Sequence, residues 1–282
     1  MGNKKTGQKA MTWIVSKARD WNPLQPLALN KISGVFMKKI NMLMVFVSLL
    51  VLVAPPAFAQ GEAVSAINGQ VVVTGGSLDG ENMATGSASL TAPLGEHFGL
   101  RLDGLSGNID RDDFRVGAIH LFTRDPDLYL LGVTGAHAEL ENIQVESFSL
   151  EVEAYMGMVT IAAAGGQQTG DVHDSTYGSL DLRYYPQKNL MVEVGASVAD
   201  ENDGKAHIGV EYQLVGGLAL FADAATGEDG FEHALGGIRY YFGDEKPLIN
   251  RHREEVSTNN VLDSVIINYA SARSAVLASD IR

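Results

Sequence analysis

The chain has 282 residues, no cysteine, a hydrophobic fraction of 45% and a formal net charge of −13. Without a thiol it can form no disulfide, thiolate metal site, cysteine nucleophile or lipoprotein anchor. The acidic balance excludes a nucleic-acid partner, which needs clustered Lys and Arg to displace counterions. The apolar content is too high for a disordered acidic chain.

The charge is unevenly placed. Residues 1–59 hold eight of the 21 basic residues and, in Asp20, one of the 34 acids. The remainder carries 13 bases against 33 acids, a net of −20. Residues 42–54 are apolar except for Ser48, with Lys38 and Lys39 before them and Pro55-Pro56-Ala57-Phe58-Ala59 after them. A basic start, an apolar run of this length and an Ala-x-Ala site predict a signal peptide over 37–59, cleaved after Ala59 with Ala57 as the other small residue. The run is too short for a transmembrane helix, which needs about 20 residues. Residues 1–36 precede this leader as an upstream extension or a mis-assigned start, and they hold both tryptophans.

From residue 63 to 242 the chain alternates apolar and polar residues in segments of about ten. In 206–214, Ala206, Ile208, Val210, Tyr212 and Leu214 oppose His207, Gly209, Glu211 and Gln213. In 190–198, Leu190, Val192, Val194, Ala196 and Val198 oppose Glu193, Gly195 and Ser197. Phe148, Leu150, Val152 and Ala154 oppose Ser149, Glu151 and Glu153, and Phe98, Leu100 and Leu102 oppose Gly99, Arg101 and Asp103.

The connections alternate between tight turns (93–96, 125–127, 155–157, 186–189, 215–217) and longer acidic loops (77–82, 107–113, 139–142, 167–174, 200–205, 226–230). Short turns at one end and loops at the other describe an all-β, antiparallel transmembrane barrel. Six loop-end hairpins give twelve strands. The apolar parity slips over 114–121 and 143–147, which leaves ten as the alternative count. With both tryptophans in residues 1–36, Tyr129, Tyr155, Tyr184, Tyr212, Tyr240 and Phe242 are the candidate interfacial anchors.

The polar faces carry Arg101, Asp103, Glu151, Glu153, Asp181, Arg183, Glu193, His207, Glu211, Asp223 and Arg239. On a barrel these would line the lumen, either as a water-filled acidic passage that favours cations or as a salt-bridge network filling a narrow interior. Asp200-Glu201-Asn202-Asp203-Gly204 lacks the full ligand spacing of a calcium loop, and His173 beside Asp171 and Asp174 reads as a solvated loop residue. No cofactor or metal site is expected. No Gly-x-Ser-x-Gly elbow marks a hydrolase, so the chain is not expected to be an enzyme.

The body ends in Gly237-Ile238-Arg239-Tyr240-Tyr241-Phe242, which resembles the C-terminal insertion signal of outer-membrane barrels, with Gly237, Tyr240 and Phe242 as its marks. Leu235 stands where a polar residue is usual. The run Lys246-Pro247-Leu248-Ile249-Asn250-Arg251-His252-Arg253-Glu254-Glu255 resembles the segment that follows the last strand in some uncharacterised proteobacterial barrels.

Residues 60–255 thus resemble the small porin-like outer-membrane barrels of Gram-negative bacteria. The resemblance implies a barrel over 60–243 and a periplasmic tail over 244–282, in which Leu262, Val265, Ile266 and Tyr269 share one helical face. The implied location is the outer membrane, and the implied partners are its lipid and the barrel-insertion machinery. Small cationic or neutral solutes are the expected cargo. A non-conducting structural or adhesive barrel is the alternative, and a lipid-modifying enzyme the second alternative.

Overall fold

A computed structural model of the chain describes residues 62–140, 143–172, 174–199 and 204–255. The upstream stretch, the leader with Ala57 and Ala59, His173, residues 200–203 and the tail beyond 255 lie outside the described residues.

The described residues form twelve strands: β1 (Asn68–Leu78), β2 (Glu81–Leu94), β3 (Phe98–Ile109), β4 (Asp112–Asp125), β5 (Tyr129–Leu140), β6 (Ile143–Met156), β7 (Val159–Gly170), β8 (Ser175–Gln187), β9 (Leu190–Ala199), β10 (Lys205–Gln213), β11 (Leu218–Gly227) and β12 (Glu232–Phe242). A helix α1 (Leu248–Glu254) follows. Each strand pairs antiparallel with its sequence neighbours, and β1 pairs with β12 to close the barrel. Closure leaves no strand edge, which is what hydrocarbon demands of a sheet.

The ten-strand alternative is excluded. The parity slips fall inside β4 and β6, which are continuous strands. Phe114, Val116 and Val145 are apolar but turn inward and are buried, whereas Ile119 and Leu121 on β4 face out. The strand pattern is intact there; the interior itself has become apolar.

The loop end is also tighter than the composition implied. Only Asp79-Gly80 separates β1 from β2, and only Asp110-Arg111 separates β3 from β4. Asp79 and Gly80 both take positive φ, 52° and 80°, as a two-residue type I′ hairpin turn requires. Two-residue turns led by aspartate therefore stand where the acidic composition suggested loops.

Every strand but β5, whose outer Leu131 and Val133 are half-buried, presents exposed apolar side chains on its outer face. Val194 on β9 stands between Leu182 of β8 and Ile208 of β10, and all three are exposed. Val73, Leu90, Leu102, Ile119, Leu150, Leu220 and Ile238 continue the belt. An unbroken apolar belt is far larger than the patches a water-soluble monomer exposes, and it matches the lipid-facing band of a membrane barrel.

Phe98, Tyr184, Tyr212, Tyr240 and Phe242 face outward at the turn end of their strands. Tyr240 and Phe242 pack edge to face at 5.1 Å. Tyr155 departs from the sequence expectation. It is 5% exposed and points inward, because it shares the parity of Glu151 and Glu153 and its hydroxyl donates to Glu153.

Candidate functional site: the barrel interior

Inward-facing positions alternate with lipid-facing ones on every strand, and they fall into three bands along the barrel. At the loop end Leu78, Met83, Leu105, Ile109, Phe114, Val116, Phe231 and Leu235 form an apolar cluster. The middle band is polar. The turn-end band contains aromatic side chains and receives segments from both sides of the barrel sequence.

The interior holds four ion-pair groups, three in the middle band and one, Asp223 with His233, at the loop end. On β3, Arg101 Nη2 lies 2.7 Å from Asp103 Oδ1. His120 of β4 stands opposite Arg101 and reaches Asp103 Oδ2 at 2.8 Å, with Glu151 Oε1 at 3.7 Å. The second nitrogen of that imidazole meets the Thr134 hydroxyl at 2.7 Å.

Across the barrel, Arg183 of β8 bonds Glu193 of β9 and lies 3.2 Å from Glu153 of β6. His207 Nε2 of β10 sits 3.3 Å from Glu193 Oε1 and 3.4 Å from Asp181 Oδ1. Gly195 pairs with both Asp181 and His207, and a Cβ there would collide with the Asp181 carboxylate and the His207 ring. Its missing side chain is what lets the two close.

Arg239 of β12 donates to Glu211 of β10 at 2.7 Å. Asp223 of β11 bonds His233 of β12. All eleven polar residues singled out in the sequence take part in these pairs. They sit in groups rather than singly, as buried charge requires.

Against one wall lies a cavity of about 30 Å³, lined in part by Gln70, Thr74, Thr85, Ser89, Arg101 and Arg239. It has room for about two waters at roughly 10–15 Å³ each. Gln70 Oε1 and Ser89 Oγ, both buried, have no hydrogen-bond partner among the described residues.

The barrel fold is one already seen in solved structures. The barrel superposes on the KdgM porin with a TM-score of 0.53 at 8% identity, covering 62% of this chain and 99% of that one. The NanC porin gives 0.50 at 6% identity, covering 61% and 100%. The chain has the fold of the small outer-membrane porins. In sequence, no protein-family model and no curated protein matches it.

Within this porin fold, Gly237 of the terminal motif faces inward beside the Phe221 ring, while Tyr240 and Phe242 face outward. The turn-end mouth holds residues the sequence pattern did not single out. Gly243 takes a φ of 111°, and the chain turns back beneath the barrel after β12.

Leu248 and Ile249 of α1 are buried with Tyr185, Met191, Ala219 and Tyr241. The His252 ring lies between two phenols, with Nδ1 2.9 Å from Tyr185 Oη and Nε2 3.0 Å from Tyr241 Oη. Tyr241 in turn donates to Glu211 at 2.6 Å. Arg253 donates to the Val159 carbonyl at 2.9 Å and stacks on Tyr155 and Tyr185.

Burial disfavours charge on Lys246, yet hydrogen bonds and charge from Glu254 and Glu255 hold its ammonium above the ordinary lysine value. Burial pushes the Glu255 carboxyl up, against the opposing pull of Arg251 and Lys246.

Ala63 and Val64 occupy the other half of the mouth. Ala63 N donates to Glu96 O, and Val64 packs with Phe122, Leu130 and Tyr155. Beside them Arg124 is fully buried over the Phe122 ring at 4.6 Å. None of its three guanidinium nitrogens has a hydrogen-bond partner among the described residues. Arg124, Tyr185, Tyr241 and His252 lie at or beyond strand ends, where sequence alternation carries least information.

Proposed function

We propose that the chain is a porin-like channel of the bacterial outer membrane that admits small solutes and favours cations, without catalytic activity. The observation that carries this reading is the polar middle band. A barrel that serves only as a structural peg gains most by filling its interior with apolar side chains, since buried ion pairs contribute little net stability. Here an apolar cluster fills the loop end, yet the middle keeps hydroxyls, amides and charges. That is the lining a water-filled path needs.

Six carboxylates (Asp103, Glu151, Glu153, Asp181, Glu193, Glu211) stand there against the guanidiniums of Arg101, Arg183 and Arg239. The acidic excess supports a preference for cations. The apolar belt, the terminal motif and the leader expected at 37–59 together support export to the outer membrane and delivery to the insertion machinery. On that placement the turn end faces the periplasm.

A second reading rests on a specific observation. The cavity is small and both ends of the interior are occupied, as in a barrel that anchors or adheres without conducting. Single-channel recording of the protein folded into a planar bilayer separates the two. Discrete cation-selective steps, with selectivity lowered by Glu193→Lys, are expected of the channel. A folded barrel that stays silent under every condition assigns the structural role.

A further inference from the structure

We propose that the segment Lys246–Glu255 is a reversible stopper of the periplasmic mouth, docked there by the His252 latch and released to open the path. The inference rests on the channel reading above and adds its gate.

The first argument is position. After β12 the chain does not run off into solvent. It re-enters the mouth, with Leu248, Arg251 and His252 at 2% exposure or less. The segment is tied at separate places around the rim. Ile249 N donates to Lys188 O at 3.0 Å, Gln213 Nε2 donates to Lys246 O at 2.8 Å, and Arg253 donates to Val159 O.

The second argument is the chemistry of the contact. A segment held for stability alone would bury an apolar stripe. This one buries two apolar side chains, Leu248 and Ile249, and otherwise makes hydrogen bonds and contacts of Arg251, His252 and Arg253 with aromatic rings. The hydrophobic gain of two side chains falls short of the entropy cost of ordering about ten residues, so docking depends on these further contacts. Losing one of them shifts the docked population, as a gate requires and a permanent plug does not.

The third argument is the latch itself. Tyr241 donates its proton to Glu211, so its oxygen accepts from His252 Nε2, and His252 Nδ1 accepts from the Tyr185 hydroxyl. One chain of hydrogen bonds thus links the stopper to Glu211 in the channel wall. Undocking leaves Glu211 still paired with Arg239, so no wall charge is stranded when the stopper leaves.

The test uses the full chain folded in lipid. Wild type and His252→Ala are compared by single-channel recording and by the maleimide reactivity of Leu248→Cys placed in each background. The chain has no cysteine of its own, so the label reads this site alone, and Ile249→Cys serves as a second reporter. Losing the latch should speed labelling about tenfold, the effect of one or two net hydrogen bonds. It should raise the frequency of openings in proportion and leave the unit conductance unchanged.

Unchanged labelling overturns the latch. Faster labelling with unchanged opening frequency in a conducting barrel overturns the gate and leaves the channel reading standing. Faster labelling in a barrel that is silent in every variant overturns both.

Discussion

Arg183 and Arg124 are both buried guanidiniums, and they answer opposite questions. Arg183 is shared by Glu153 and Glu193. Arg183→Met would strand two carboxylates in the interior and should cost about 3–5 kcal/mol, the usual penalty for removing one partner of a buried pair. Urea titration of the barrel in lipid vesicles measures it, and adding Glu153→Gln and Glu193→Gln should recover most of the loss.

Arg124 satisfies none of its guanidinium nitrogens among the described residues, so Arg124→Met should leave stability unchanged or raise it. A loss as large as that of Arg183→Met in the same titration would mean that Arg124 has a stabilising partner. Gly195 makes the steric version of the point. Gly195→Val forces a side chain between Asp181 and His207 and should cost roughly 1–3 kcal/mol as overpacking, where Ala196→Val, one residue along and lipid-facing, should cost little.

At the scale of elements, the strand's two faces meet different solvents. Val194 lies on the outer face of β9, 46% exposed between two other apolar side chains. Val194→Arg should destabilise folding into lipid by about 2–4 kcal/mol if it sits near the midplane, and less toward either interface. An unchanged folding free energy would show that this face does not contact lipid.

The two-sided pattern was legible wherever inner residues are polar, as along β3, β9 and β10. It faded in β4 and β6 because Phe114, Val116 and Val145 are inner residues of an apolar band. No one-dimensional pattern separates an apolar residue facing lipid from one facing a core. Tyr155 was misplaced for a related reason: a phenol suits an interfacial girdle and a buried hydrogen bond equally well.

For the whole molecule, closure is the property that matters. The β1–β12 pairing runs over ten residue pairs, from Gly69↔Phe242 to Leu78↔His233, and it satisfies both terminal strands. A closed barrel should resist detergent and migrate differently in gels before and after boiling. Val73→Pro, which deletes an N–H that β1 directs at β12 across that seam, should abolish the shift. A mobility shift that survives Val73→Pro would show that the seam is not needed for closure.

The sequence by itself determined the alternation, the strand rhythm, the turn sites and the polarity of most inner positions. These are local properties, since period two and turn chemistry are written within ten consecutive residues. Only the tertiary structure decided which inner charges pair, that an apolar cluster caps one end, and that Lys246–Glu255 returns to fill the other. Those contacts join residues as distant as Tyr185 and His252, or Val159 and Arg253. They arise because closing a sheet turns one face inward and brings every strand's inner side chains into a single confined space, an arrangement no local pattern encodes.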